Sequence, residues 1–181
     1  RVEEKLKRVS DELKRAVDES NKKIEELLER LKRVHDETNK EITEILRELK
    51  EVVDKAREDG LDDERLKRIL DEARDVIRRV RETDDDLRRR NKEMVDRLKD
   101  LNRKLEKRAE ELIREVKDKI RTDELVEDIE RKIEELIRRD DDLVRRAEEE
   151  VEKSIRELRR LVDEVRKEIK KIVKKIEDDV R

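Results

Sequence analysis

The chain has 181 residues, room for one domain or two small ones; 61% are charged and 31% hydrophobic. It has no aromatic residue, no Cys, no Pro and one Gly, which excludes base-stacking platforms, disulfides, thiolate chemistry and sulfur-ligated zinc. The 54 basic and 57 acidic residues interleave to a net charge of −3, leaving no basic face for nucleic acid and no polybasic tail for a membrane.

Such a charge fraction usually signals disorder. Here, however, strong helix formers are joined by Leu, Ile and Val, which marks long helices or coiled coils. No apolar run approaches the roughly 18 residues of a membrane span. No signal peptide opens the chain, and Arg1 as first residue implies a tag or leader removed or left out.

The first predicted helix covers residues 2–58. Its apolar residues fall at Val2, Leu6, Val9, Leu13, Ala16, Ile24, Leu27, Leu31, Val34, Ile42, Ile45, Leu49, Val52 and Ala56, in steps of three or four once Ser20 and Thr38 fill two gaps. That is one helix face. A shoulder at Val17, Leu28, Leu46 and Val53 widens it. Leu6, Ile24 and Ile42 are eighteen apart, as are Leu13, Leu31 and Leu49. Eighteen residues make five turns of a straight α-helix, so this repeat imposes no supercoil, whereas a seven-residue repeat would.

The first junction is read from its turn chemistry. Gly60 stands where a helix end needs a left-handed residue. Asp62 reads as the next N-cap, with Leu61 and Leu66 placed as a hydrophobic staple and Asp63 and Glu64 facing the helix dipole. A second helix over residues 62–120 follows, with its stripe at Leu66, Ile69, Ala73, Val76, Val80, Leu87, Met94, Leu98, Leu105, Ala109, Leu112, Val116 and Ile120. The second junction has neither Gly nor Pro and is read from phase. Beyond Ile120 the stripe should continue at Asp123 and Glu127, but apolar residues restart at Leu125, Val126 and Ile129. A turn near Arg121-Thr122, with Thr122 as cap, is therefore expected. The third helix, residues 123–180, carries Ile129, Ile133, Leu136, Val144, Ala147, Val151, Leu158, Val162, Val165, Ile169, Ile172, Ile176 and Val180 inward.

Short connections make neighbouring helices antiparallel. The expected fold is all-α: one long up-down-up three-helix bundle spanning the chain. Its nearly straight, untwisted helices hold about 60 residues each and are roughly 85–90 Å long at 1.5 Å per residue.

The unusual chemistry lies where polar residues interrupt the stripes. Ser20, Thr38, Asp84, Asn91, Asn102, Asp140 and Ser154 take core positions, and Asn21, His35, Asn39 and Thr83 take the shoulders. An antiparallel register sorts them into layers. Ser20 and Asn21 face Asn102, which faces Asp140; Thr38 and His35 face Thr83 and Asp84; Asn91 faces Ser154. Buried polar groups without partners are costly, so aligned ones imply hydrogen-bond networks whose use is to fix register.

Functional readings of these residues are weak. His35 is the sole His, more simply a satisfied helix residue than a general base or pH switch. Neutral and bonded to Asn or Ser, it would make mild acid destabilising; paired with Asp84 as an ion, it would make mild acid helpful. His35 and Asp84 are too few for a metal site, and no Glu-x-x-His or His-Glu-x-x-His occurs. Asp84-Asp85-Asp86 and Asp140-Asp141-Asp142 lack the glycine and spacing of a calcium loop. No nucleophile, base and orienting group assemble, so no enzyme is expected, and no cofactor.

The whole chain resembles the parametrically designed helical bundles of protein engineering, especially untwisted three-helix ones with an eighteen-residue repeat. Lys23-Ile24-Glu25-Glu26-Leu27-Leu28-Glu29-Arg30-Leu31 and the Asp59-Gly60 turn carry the resemblance. The polar layers are similar to programmed hydrogen-bond networks. Natural spectrin-like repeats share the plan but typically carry core tryptophans, which this chain lacks. The resemblance implies high stability and no ligand, substrate or natural partner. The expectation is thus a monomeric scaffold, soluble in the cytoplasm of an expression host, needing no nucleic acid, membrane or partner. The alternative is an interaction module pairing with itself or a designed helix through the shoulder positions.

Overall fold

Three helices form because each stripe can be covered only by the other two. In the computed structural model, which describes residues 2–118 and 122–181, they are α1 (Val2–Glu58), α2 (Asp63–Asp118) and α3 (Asp123–Val180), packed as an up-down-up all-α bundle.

Local chemistry explains the described helix ends. Gly60 has φ +89°. Its N–H donates to Arg57 O at 3.1 Å and that of Leu61 to Ala56 O at 3.0 Å, the paired bonds of a Schellman motif. Two residues on, Asp62 caps α2: Glu64 N–H donates to Asp62 Oδ1 at 3.4 Å and Leu66 N–H to Asp62 O at 3.1 Å. Thr122 caps α3 in the same way, its Oγ1 accepting from Leu125 N–H at 3.3 Å. Arg121 and Ile120, singled out above, lie outside the described residues. All three helices open with acidic pairs, Glu3 and Glu4, Asp63 and Glu64, and Asp123 and Glu124, which the helix dipole favours.

The chain divides into two compact units, each with a stretch of every helix: residues 1–30 with 91–151, and residues 31–90 with 152–181. In the first, Leu6, Val9, Leu13 and Val17 of α1 share one buried cluster with Ala109, Leu112, Ile113 and Val116 of α2 and Val126, Ile129 and Ile133 of α3. Lys5–Glu127 (3.9 Å) and Arg8–Glu130 (3.5 Å) advance together, so α1 and α3 run parallel there. The Glu25–Lys99 pair (3.4 Å) and the Ser20–Asn102 bond run oppositely, so α2 is antiparallel to α1. In the second unit Arg65–Asp179 (2.8 Å) and Glu72–Lys175 (4.0 Å) show α2 antiparallel to α3. Exposed pairs of this kind contribute little stability each and serve here to report direction.

Burial corrects parts of the stripes. Val17 and Val53, read above as shoulder residues, are core, while Ala16 and Val52 are only partly buried. In α2, Ile77, Val95 and Ile113 lie inside, and Val76 and Met94 are half-buried. Ile155 of α3 is also buried. Adjacent residues sit about 100° apart around a helix, so where both are apolar the neighbouring helices decide which turns inward. Among the described residues Leu101, at 41%, is the only large hydrophobic side chain that is exposed. None of their helices is long and apolar enough to cross a membrane.

A Cβ at Gly60 would meet nothing within 4 Å, so the cost of Gly60→Ala comes from the backbone alone. The left-handed conformation costs an L-residue about 1–2 kcal/mol. Guanidinium unfolding followed by circular dichroism at 222 nm should show a loss of that size, and an unchanged midpoint would refute the motif's role.

Candidate functional site

Among the described residues, every buried polar side chain replaces an apolar one in the eighteen-residue frame, as does the half-buried His35. Asp84 and Asn102 stand at the α2 position that Leu66 fills. Asn91 stands where Ala73 and Ala109 do, and Asp140 where Leu158 and Ile176 do. Ser20 and Thr38 match Ala56, Ser154 matches Leu136 and Ile172, and His35 matches Val17 and Val53. Their burial follows from helix phase; the question is what they meet.

In the first unit, Ser20, Asn21, Asn102 and Asp140 come together from all three helices. Asn102 Nδ2 donates to Ser20 Oγ at 2.9 Å and to Asn21 Oδ1 at 3.0 Å. In this orientation the Asn102 oxygen faces the Asp140 carboxyl, a stable arrangement only if Asp140 carries a proton. Turned over, the Asn102 amide donates through Nδ2 to Asp140 Oδ2 at 2.9 Å and also to Asp140 Oδ1. Its oxygen then accepts from Ser20 Oγ at 2.9 Å and, with the Asn21 amide turned as well, from Asn21 at 3.0 Å. Ser20, Asn102 and Asp140 are buried, and Asn21 is the exposed end of the set. Burial pushes the Asp140 carboxyl above its ordinary range; the Ser20 hydroxyl opposes this and the Asp141 charge adds to it.

The second unit holds a His–Asp pair. His35 Nδ1 lies 2.5 Å from Asp84 Oδ2. Its Nε2 lies 3.0 Å from Arg88 Nη1 and 3.1 Å from Asn39 Nδ2. Both of those neighbours are N–H donors, so Nε2 accepts and the ring proton sits on Nδ1, donated to Asp84. Asn39, outside the expected layers proper, is thus part of the cluster, and Arg88 is an addition that the sequence reading missed. Its signal was available: Arg88 lies one turn from Asp84 on the same helix side. Burial raises the Asp84 carboxyl, opposed first by its electrostatic attraction to the His35 ring N–H and the hydrogen bond from it; Asp85 raises it further and Arg88 lowers it.

Thr38 and Thr83 do not bond across the layer. Thr38 Oγ1 donates to Val34 O at 2.9 Å and Thr83 Oγ1 to Arg79 O at 2.9 Å, each within its own helix. A hydroxyl four residues beyond a helical carbonyl satisfies itself there at no cost in reach. Asn91 belongs to the first unit and Ser154 to the second. Both are buried, and Asn91 Nδ2 has no hydrogen-bond partner among the described residues. Among the described residues no three His, Cys, Asp or Glu side chains gather as a metal ion would require.

Two predictions follow from the carboxyls. Asp140 binds a proton more tightly in the folded chain than in the unfolded one. The associated stability is complete below the ordinary carboxylate pKa and is lost as pH rises through the raised folded value. Urea unfolding at about pH 7 and about pH 4.5 should show acid strengthening the parent relative to Asp140→Asn; parallel pH responses would refute it. His35→Val restores the frame residue but strips Asp84 of its donor. Stability should fall by about 1–3 kcal/mol, and the Asp84 Cγ resonance should titrate at higher pH than in the parent.

Compared with known proteins, the chain matches no family model, no curated protein and no solved structure.

Proposed function

We propose that this chain is a designed structural scaffold whose product is its own geometry, with the polar layers specifying how its helices register. The observation that carries this reading is the alignment of polar replacements. Ser20, Asn102 and Asp140 break the apolar frame on three different helices, yet they meet in one buried cluster. Unrelated replacements on three helices would not be expected to coincide. His35 and Asp84 repeat the device on two helices.

The physical gain is discrimination rather than stability. A network of buried polar groups contributes little net free energy, but a shift of one helix by a turn leaves each group desolvated and unpaired, at about 1–3 kcal/mol apiece. Apolar stripes alone discriminate poorly, because an eighteen-residue frame presents similar side chains a turn further along. This reading assigns the chain no substrate, cofactor or natural partner.

The rival reading, an interaction module, leaned on the shoulder positions. Two of the four, Val17 and Val53, are buried, leaving the half-buried Leu28 and Leu46 and the exposed Leu101. Isolated exposed apolar residues are ordinary on a monomer surface. Light scattering with refractive-index detection tests it, since the chain lacks Trp and Tyr. A single-chain mass agrees with the scaffold; a dimer or larger species would favour the module.

Register is tested by replacing both layers with frame residues, as Ser20→Ala, His35→Val, Thr38→Ala, Asp84→Leu, Asn102→Leu and Asp140→Leu together. The variant should be more stable by about 1–4 kcal/mol but less discriminating. Cysteines at Glu25 and Lys99 report the native pairing, and cysteines at Glu29 and Lys99 report a one-turn slip. The parent should cross-link only through the first pair, and the apolar variant through both. Exclusive native cross-linking in the apolar variant would defeat the proposal.

A further inference from the structure

The Asn102 amide in the Asp140 cluster can stand in two orientations, and which of them is satisfied depends on one proton. With Asp140 as a carboxylate, the Asn102 amide must turn its nitrogen toward α3, while the Ser20 hydroxyl can reach either the Asn102 oxygen or the Asp140 carboxylate. Asn21 then donates to the Asn102 oxygen, and Asn102 Nδ2 donates to both Asp140 oxygens. With Asp140 as a carboxyl, its O–H donates to the Asn102 oxygen, and Asn102 Nδ2 donates to Ser20 Oγ and Asn21 Oδ1. Heavy-atom positions are the same in both, because an amide turned end for end occupies the same space. A carboxylate facing the Asn102 oxygen sets acceptor against acceptor in a site where Ser20, Asn102 and Asp140 are all buried, and such a conflict is heavily penalised.

We propose that Asp140, Asn102 and Asn21 form a proton-operated relay, in which protonation of Asp140 on α3 turns over the Asn102 amide of α2 and, with it, the exposed amide of Asn21 on α1, the Ser20 hydroxyl bridging them in either state. The proton comes from and returns to water at an Asp140 oxygen, and no covalent bond other than that O–H forms or breaks. Asn102 is the moving part.

The surrounding charges leave Asp140 in control. From α1, Arg15 and Glu19 line the surface groove that also touches Asp141 and Arg138 of α3. From α2, Lys99 is engaged by Glu25 of α1 at 3.4 Å, and Glu106 is half-buried. Of these charges, Asp141 is the one that registers at the Asp140 carboxyl, and it favours the proton as burial does. The His35–Asp84 cluster cannot invert in this way. Arg88 has no acceptor to offer, so the Nε2 side of the ring has one polarity only.

Nuclear magnetic resonance on the full chain tests the relay between about pH 7.5 and about pH 4. The Asp140 Cγ shift reads the proton, and the side-chain NH2 groups of Asn102 and Asn21 read the amide orientations. At the upper pH the Asn102 NH2 hydrogens should show Overhauser contacts to the Asp140 β-hydrogens. At the lower pH those contacts should give way to ones with the Asn21 β-hydrogens, with the midpoint of the Asp140 Cγ titration. Asp140→Asn should abolish the pH response of both amides. The proposal fails if Asp140 titrates while the Asn102 contacts stay constant, if Asp140 titrates no higher than an ordinary carboxylate, or if the response persists in Asp140→Asn. Should that variant not fold, the parent spectra decide alone.

Discussion

Burial in this protein returns every eighteen residues, and the rest of the structure depends on that return. Leu6, Ile24 and Ile42 of α1, Val80, Leu98 and Val116 of α2, and Val126, Val144 and Val162 of α3 are each buried eighteen apart. Five helical turns bring a side chain back to the same azimuth, so one apolar line can stay on one face for the length of a helix. With 31% hydrophobic residues and no aromatics to supply large buried areas, the chain forms its core by placing aliphatic residues where they are covered. Each buried aliphatic side chain contributes about 1.5–3 kcal/mol, and few are spent on the surface.

Set in that frame, a polar residue has one choice of direction. Helix phase carries it inward whether or not a partner waits, so the pairing across helices decides its cost. Ser20 with Asn102, and His35 with Asp84, show the favourable outcome. Asn91 Nδ2 shows the other, a buried donor with no acceptor among the described residues. Thr38 and Thr83 avoid the problem by turning back to their own helices. Buried clusters therefore have to be satisfied as sets, and the loss of one member strands the others.

Much of this was legible in the residues. Helix ends came from Gly60, Asp62 and Thr122, where a single side chain or a positive φ carries the structure. Antiparallel order came from the shortness of the connection at Gly60. The seven inward polar residues came from phase, since a gap in a regular stripe has only one azimuth. What stayed hidden was the choice between neighbours that are both apolar. Steps from Ala73 to Val80 are met equally by Val76 and by Ile77, and only the packed helices select Ile77. The same ambiguity put His35 on a shoulder, although it shares the line of Val17 and Val53. Arg88 and Asn39 were hidden for a different reason: long or exposed side chains reach their partners by rotamer, which helical phase does not determine.

The Arg65–Asp179 contact joins two charges that are each misplaced on their own helix. Arg65 lies in the first turn of α2, where the exposed peptide N–H groups repel a cation, and Asp179 lies in the last turn of α3, which holds no basic residue to offset its carbonyls. Across the Gly60 turn the opposite holds, with Arg57 and Asp63 each on the favourable end. Added salt therefore weakens one attraction and two repulsions at the Arg65 site, but only attractions at the Arg57 site. Ionic strength should loosen the hairpin turn while leaving the chain's far terminus almost indifferent.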